Sequence, residues 1–151
     1  MKADYVNIFI RSLIMVCEMM LGERPVMKET FKKTSTTSLL DVAVVIGITG
    51  QLKGQVVINF SSETGQNMAS VMMGGIPISE LDEIGKSALQ EIGNMMMGTA
   101  STELSQLGVT TDITPPHMIT GEHMSMTAKD KTIIVSFELS AGKILLEISI
   151  E

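Results

Sequence analysis

The chain has 151 residues, of which 44% are hydrophobic and 19% are charged, a balance that can bury a core and excludes general disorder. This length fits one domain spanning residues 1–151. A net charge of −6 and an aromatic content of 3% argue against nucleic-acid binding, which needs a basic surface and rings on which bases stack. The single cysteine and the lack of an apolar run of about 18 residues favour a cytoplasmic protein that does not insert into a membrane.

The first half of the sequence predicts a helix followed by strands. Apolar residues recur at helical spacing from Val6 to Cys17, and Gly22 ends this pattern. Alternating charged residues after it are typical of an edge strand, and two β-branched runs predict a hairpin. In chain order, the predicted segments are a helix over 4–21, an edge strand over 27–33, a loop over 34–40 and hairpin strands over 41–49 and 55–60.

The second half predicts two helices and then further strands. We expect the longer helix to begin at the N-cap Ser79 and to end at Leu107, before Gly108. The 14 methionines are interpreted mainly as core residues, with Met95 anchoring the long helix, and an adaptable partner surface is the alternative. The other predicted segments are a short helix over 63–73, a strand over 109–113, a loop over 114–130 and hairpin strands over 132–139 and 143–151.

This order of elements predicts an α+β fold. Short connections favour antiparallel pairing, so we expect two layers, a mainly antiparallel sheet packed against two long helices and a short one. The alternation of residues in the last hairpin predicts one packed face of the sheet and one more polar face. A helix followed by three strands occurs twice, which predicts a pseudo-two-fold repeat.

A strip of small and polar residues runs along the long helix. Its members, spaced by four, three and four residues, are Ser87, Glu91, Asn94 and Gly98. They fall within about 60° of one another on one helix face, where Gly93 and Gly98 would keep the surface low for a partner backbone. An ordinary solvated face is the alternative. The neighbouring stripe that we expect to pack inward consists of Ile84, Ala88, Ile92, Met95 and Thr99.

The pattern Ser87-x-x-x-Glu91-x-x-Asn94 resembles the signature of the CheC/CheX/FliY family of chemotaxis phosphatases: Asp or Ser, three residues, Glu, two residues, Asn. The order of elements and the length are similar to this family over most of the chain. The first helix has Glu18 at the matching place, but Leu21 stands where a second motif would have asparagine. With one motif copy, the chain looks most like the CheX branch.

The resemblance implies hydrolysis of the aspartyl phosphate on the response regulator CheY. It implies that Asn94 positions the attacking water, that Glu91 anchors the partner, and that Ser87 and Gly98 contact it. Phosphoryl transfer depends mainly on positioning and electrostatics, so a carboxamide can assist without acting as a base. Mg²⁺ is then expected on the phosphorylated partner, with no cofactor or metal site in this chain.

Two other functions stay open on the sequence alone. The chain could be a non-catalytic module that binds a receiver domain or a flagellar-switch protein, or it could be a self-associating scaffold. Members of the resembling family form homodimers through sheet edges, so a homodimer is expected. The two histidines, His117 and His123, lack the spacing of a zinc site and are interpreted as solvated loop residues.

Overall fold

The computed structural model describes residues 3–33, 36–127 and 131–150. The helices within these ranges are α1 (Ala3–Leu21), α2 (Ser62–Met72) and α3 (Glu83–Gln106). The strands are β1 (Val26–Lys33), β2 (Thr36–Ser38), β3 (Val42–Gly50), β4 (Gly54–Phe60), β5 (Thr111–Ile113), β6 (His117–Thr120), β7 (Ser125–Thr127), β8 (Thr132–Leu139) and β9 (Gly142–Ile150). Across these ranges, every helix is too short or too polar to cross a bilayer.

Most of the strands form one antiparallel sheet. Its order is β1-β8-β9-β4-β3-β5, and β6 pairs with β3 along the same edge as β5. The helices pack on one face of this sheet, where side chains of α1, α2 and α3 share a buried core with the central strands. The predicted α+β fold is therefore confirmed, with β1 as the expected edge strand.

The sheet has a pseudo-two-fold arrangement centred between β4 and β9. Strands β3 and β4 of the first half match β8 and β9 of the second, so that Val57 corresponds to Glu147, and these two residues pair directly. Strand β1 at one edge matches β5 and β6 at the other. The short strands β2 and β7 match and pair with each other in a separate small sheet. The first half thus has one short strand more than the predicted three, β2, and the second half has two more, β6 and β7.

The small β2–β7 sheet and the residues beside it lie over the face of the main sheet opposite to the helices. Gln55 Nε2 of β4 donates to Met126 Sδ of β7 at 3.1 Å, and Asn59 Nδ2 donates to the carbonyl O of Leu40 at 3.2 Å. This face is the more polar one on β8, as predicted, but it is also packed, since Thr132, Ile134 and Ser136 are buried on it.

The two long loops predicted from the sequence are wrong in part. The range 34–40 contains β2, and the range 114–130 contains β6 and β7, while residues 34–35 and 128–130 lie outside the described residues. Strands of three or four residues show too little alternation to be recognised, because a period of two needs several repeats before it stands out.

Helix α3 begins later than predicted and ends close to the predicted place. Asp82, rather than Ser79, is its N-cap, since Asp82 Oδ1 accepts a hydrogen bond from the backbone N–H of Gly85 at 2.8 Å. Leu107 is the C-cap, and Gly108 follows with a φ of 80°, the left-handed conformation that glycine adopts without steric cost.

The inward face of α3 is rotated relative to the predicted stripe. Of the five predicted residues only Ile92 is buried, and Ile84 is 69% exposed. Gly85 and Gly93 belong to the buried face because they let the helix approach its neighbours, a role that hydrophobicity does not reveal. The buried residues of α3 are Gly85, Leu89, Ile92, Gly93, Met96, Met97, Ala100 and Leu104.

The methionines divide between core and surface, so the prediction that they are mainly core residues holds only in part: Met15, Met19 and Met27 are 42–62% exposed. Met68, Met96 and Met97 are at most 1% exposed and fill the core together with its few aromatic side chains. Met95, the predicted anchor of α3, is only partly buried at the border of the core. That prediction is wrong because the next residue along the helix, and not Met95, points into the core.

Candidate active site

Three of the four predicted site residues lie together on the outer face of α3. Ser87, Glu91 and Asn94 are exposed, and all of them line one open cavity of about 490 Å³. Gly98, one turn further along the helix, is exposed but does not line the cavity. The helix therefore brings three polar side chains to one cavity and leaves Gly98 on the adjoining surface.

The opposite side of α3 fixes this helix against β3. A Cβ at Gly93 would lie 3.0 Å from Cδ1 of Ile46 and 3.1 Å from Cγ1 of Val44, both of which are fully buried. Gly93 thus lets the helix pack closely on the sheet. The prediction that it keeps the outer surface of the helix open to a partner is therefore wrong. A Cβ at Gly98 would meet nothing within 4 Å, as expected for an open surface.

Segment 113–116, which we call the proline wall, lines the cavity together with α3. It joins β5 to β6 and contains Pro115 and Pro116. The backbone N–H of Thr114 donates to the carbonyl O of Gly47 at 2.9 Å, and the N–H of Gly47 donates to Thr114 Oγ1 at 2.8 Å. These reciprocal hydrogen bonds hold the proline wall against β3.

Gln90 connects α3 to the proline wall. Its Nε2 donates to the carbonyl O of Pro116 at 3.4 Å, and Nδ1 of His117 lies 3.0 Å from the carbonyl O of Pro115. Neither Gln90 nor the wall was predicted from the sequence to line this cavity. The one signal that could have drawn attention to the wall is the proline pair, which restricts the backbone on both sides.

The polar side chains of α3 offer hydrogen-bonding capacity that no described residue uses. Within residues 3–33, 36–127 and 131–150, the side chains of Ser87, Glu91 and Asn94 make no hydrogen bond or ion pair with another residue. A carboxamide donates and accepts at the same time, whereas an ionised carboxylate accepts from cations. This arrangement can orient a water molecule and hold a positive group next to it.

The cysteine and the two histidines lie in surroundings that differ from those of the polar side chains on α3. Burial raises the pKa of the Cys17 thiol to about 12, and the Glu23 carboxylate adds to this effect, so Cys17 is not a ready nucleophile. His117 and His123 are both exposed. Among the residues that the structure describes, no three His, Cys, Asp or Glu side chains are grouped in a way that could hold a metal ion.

The matching region of α1 differs from the site on α3. Glu18 Oε1 is paired with Arg24 Nη1 at 2.9 Å, so its carboxylate is engaged within the chain. Leu21 offers no hydrogen-bonding group at the position that corresponds to Asn94. Of the two matching positions, that on α1 has a paired carboxylate and a leucine, and that on α3 has a carboxamide and a carboxylate that is unpaired among the described residues.

Comparisons with known sequences point to one family. The family model for the chemotaxis phosphatase CheX matches residues 42–139. The CheY-P phosphatase CheX of Thermotoga maritima is 38% identical over 130 residues, which cover 83% of this chain and 81% of that protein.

Comparisons with solved structures extend over almost the whole chain. A CheC-like superfamily protein from Shewanella sp. PV-4 has a TM-score of 0.90 at 27% identity and covers 100% of this chain and 99% of its own. A chain in the CheX-CheY-BeF3-Mg²⁺ complex from Borrelia burgdorferi has a TM-score of 0.83 at 29% identity, with 99% of both chains covered. The chain belongs to the chemotaxis phosphatase CheX family.

Proposed function

We propose that the chain accelerates hydrolysis of the aspartyl phosphate on a CheY-type response regulator. Membership of the family supports this chemistry, and so do the T. maritima CheY-P phosphatase and the B. burgdorferi complex of CheX with CheY. The observation that carries the proposal is the exposed pair of Glu91 and Asn94 on one cavity. We further propose that residues 1–151 act as one domain in the cytoplasm.

Asn94 is assigned the placement of the attacking water. Its carboxamide can accept a hydrogen bond from the water and donate one to a phosphoryl oxygen, which holds the water in line with the phosphorus. A general base is not required, because this transition state depends on positioning and electrostatics. Mg²⁺ occurs in the B. burgdorferi complex, and here we expect it on the phosphorylated partner.

Glu91 is assigned the anchoring of the partner. Its exposed carboxylate lies three residues before Asn94, so a lysine near the phosphorylation site could pair with it while the phosphate reaches the carboxamide. Ser87, one turn earlier, extends the contact surface. Gly98, one turn later, leaves room for the partner backbone to come close.

Replacing the carboxamide tests this proposal. We expect Asn94→Ala to keep the fold and to lower kcat for dephosphorylation of a phosphorylated CheY-type receiver by about 10²-fold or more, because the water loses its orientation. Asn7→Ala is the matched control, since Asn7 is exposed on α1 away from the cavity. Loss of label from the phosphorylated receiver measures the rate. Equal rates for wild type and Asn94→Ala would contradict the proposal, and receiver binding without acceleration by wild type would favour the non-catalytic module.

We also propose that the chain forms a homodimer through the β1 edge of the sheet. All eight residues of β1 are exposed, and the side of this strand that faces away from β8 has no partner strand among the described residues. Val26 and Met27 are 55% and 53% exposed, so pairing of two β1 strands would also bury apolar surface.

A further inference from the structure

The proline wall is a bulge in the edge of the sheet. On β3, three residue steps separate Val45 from Ile48, whereas four steps separate their partners, His117 and Ile113, on the outer side. One extra residue must therefore leave the line of the strand between β5 and β6. The cavity lined by Ser87, Glu91 and Asn94 is where this segment comes out of the sheet edge.

The other half of the fold has a bulge at the matching place. On β8, three steps separate Val135 from Glu138, whereas their partners on β1, Thr30 and Val26, are four residues apart. The bulge is therefore a property of both halves. The residues in it differ, because the matching segment 27–31 of the first half contains no proline.

Prolines thus occur in the bulge only in the half that carries Glu91 and Asn94. Proline has no backbone N–H and a fixed φ, so the wall cannot pair with a partner strand and has little freedom to move. The hydrogen bonds from Thr114 to Gly47 and from Gln90 to Pro116 restrict it further. The result is a preformed apolar surface that faces the polar side chains of α3 across the cavity.

We propose that the proline wall is the docking element for the phosphorylated receiver, accepting an apolar side chain from the loops around the phosphorylated aspartate, and that Gln90 is the positioning residue of the wall. This inference rests on the proposed phosphatase function. A cavity of about 490 Å³ has room for such a side chain beside the phosphoryl group. A wall that is already ordered binds without the entropy loss of ordering it, so its contribution belongs to affinity and not to the placement of water.

Loosening the wall tests the proposal. We expect the double substitution Pro115→Gly with Pro116→Gly to raise KM for the phosphorylated receiver about tenfold while kcat changes by less than about threefold. Pro77→Gly is the control, because Pro77 is exposed in the connection between α2 and α3 and does not line the cavity. An unchanged KM, or a loss confined to kcat, would overturn the proposal.

Gln90 gives a second test that leaves the wall sequence intact. We expect Gln90→Leu to raise KM about threefold in the wild-type chain and to have no further effect in the double glycine variant, since its action passes through the wall. Gln106→Leu, at the far end of the same helix, is the matched control. A full effect of Gln90→Leu in both backgrounds would show that Gln90 does not act through the wall. If the double variant does not fold, an unchanged KM for Gln90→Leu alone overturns the proposal.

Asn94→Ala, measured in the same series, separates the two proposals. A kcat loss in Asn94→Ala together with an unchanged KM in the wall variants overturns the docking role and leaves the phosphatase function in place. A wild-type chain that does not accelerate dephosphorylation contradicts the phosphatase function, and direct binding of the phosphorylated receiver to the wall variants then decides whether the wall still acts in docking.

Discussion

Glu147 is buried at the centre of the sheet, in the place where the pseudo-two-fold relation puts Val57 in the other half. It is only 4% exposed, and its Oε2 atom has no hydrogen-bond partner among the described residues. Burial raises the pKa of this carboxyl from 4.5 to about 7, although the Lys33 ammonium acts in the opposite direction. The same position thus holds the hydrocarbon side chain of Val57 in one half of the fold and the titratable carboxyl group of Glu147 in the other.

The pKa of Glu147 predicts how stability depends on pH. Because the folded-state pKa is raised, the favourable contribution is complete below about pH 4.5 and is lost as the pH rises through about 7. We expect Glu147→Gln to remove this loss, so that the variant exceeds wild type in unfolding free energy by at most about 3 kcal/mol at pH 8 and by much less at pH 4.5. Urea unfolding at the two pH values measures this difference. Parallel pH profiles for the two proteins would contradict the expectation.

Glu91 gives a prediction about binding rather than stability. Glu91→Gln keeps the size of the side chain but removes the charge that is proposed to pair with a lysine of the receiver. We expect KM for the phosphorylated receiver to rise by about tenfold, with a smaller change in kcat, and the effect to shrink as salt is added. Glu122→Gln at another exposed position should leave KM unchanged. A salt-independent loss confined to kcat would assign Glu91 to the chemical step instead.

At the scale of elements, two glycines of α3 have opposite environments. Gly93 faces the fully buried side chains of Val44 and Ile46, whereas Gly98 faces open space. Because both lie inside the same helix, the intrinsic gain in helix propensity from alanine is the same for each, up to about 1 kcal/mol. The difference between the two alanine variants therefore measures the packing of α3 on β3.

We expect Gly93→Ala to lower the unfolding free energy by about 1–2 kcal/mol, since overpacking of the core exceeds the gain in propensity. Gly98→Ala should raise it by about 0.5–1 kcal/mol. Thermal or urea unfolding of both variants checks the pair. A stabilised Gly93→Ala would mean that Val44 and Ile46 can move aside at little cost.

Gly98→Leu tests the function of the same position. We expect this variant to fold and yet to raise KM for the phosphorylated receiver, because the leucine side chain would occupy the space that the receiver backbone is proposed to approach.

The elements that were predicted correctly are those whose signal is local. Helix α1 and the two hairpins have long regular patterns and end at glycines, and the pair of Glu91 and Asn94 follows from spacing within one helix. The strands β2, β6 and β7 are too short for such a signal. The proline wall could not be predicted as part of the site, because its place depends on which strand edge lies beside α3, and this is decided by contacts distant in sequence.

The inward face of α3 shows the same limit of local patterns. Hydrophobicity favoured a stripe through Ile84 and Met95, but the helix turns Gly85 and Gly93 towards its neighbours. Glycine has no apolar side chain to mark it as a core residue. Only the position of β3 and α2 explains why small residues are needed there.

At the scale of the whole molecule, the two edges of the sheet differ although the pseudo-two-fold relates them. The β1 edge has a bulge but contains no proline and is exposed along its length, whereas the edge formed by β5 and β6 is interrupted by Pro115 and Pro116. Strand addition needs a row of free backbone N–H and C=O groups. Of these two edges, β1 is therefore the one suited to pairing with another chain.

The β1 edge gives a prediction about assembly. Sedimentation at micromolar concentration should show a dimer for wild type, and Met27→Lys should shift it to monomer, since a lysine on an edge strand opposes pairing. Met19→Lys is the control, because Met19 is 62% exposed on α1 and lies outside the edge. A monomeric wild type would contradict the proposed dimer, and a dimeric Met27→Lys would place its interface elsewhere.

The prolines between β5 and β6 also bear on how far association can go. A sheet with two equally open edges could add one chain after another and grow into a filament, because an exposed edge strand can pair with a strand of another chain. Among the described residues, the β5–β6 edge offers only two short strands separated by prolines, so two copies that join through β1 would form a closed, symmetric pair. The segment that is proposed to receive the partner would then also set an upper limit on self-assembly, and the cavity lined by Glu91 and Asn94 would lie at the edge opposite to the proposed dimer interface.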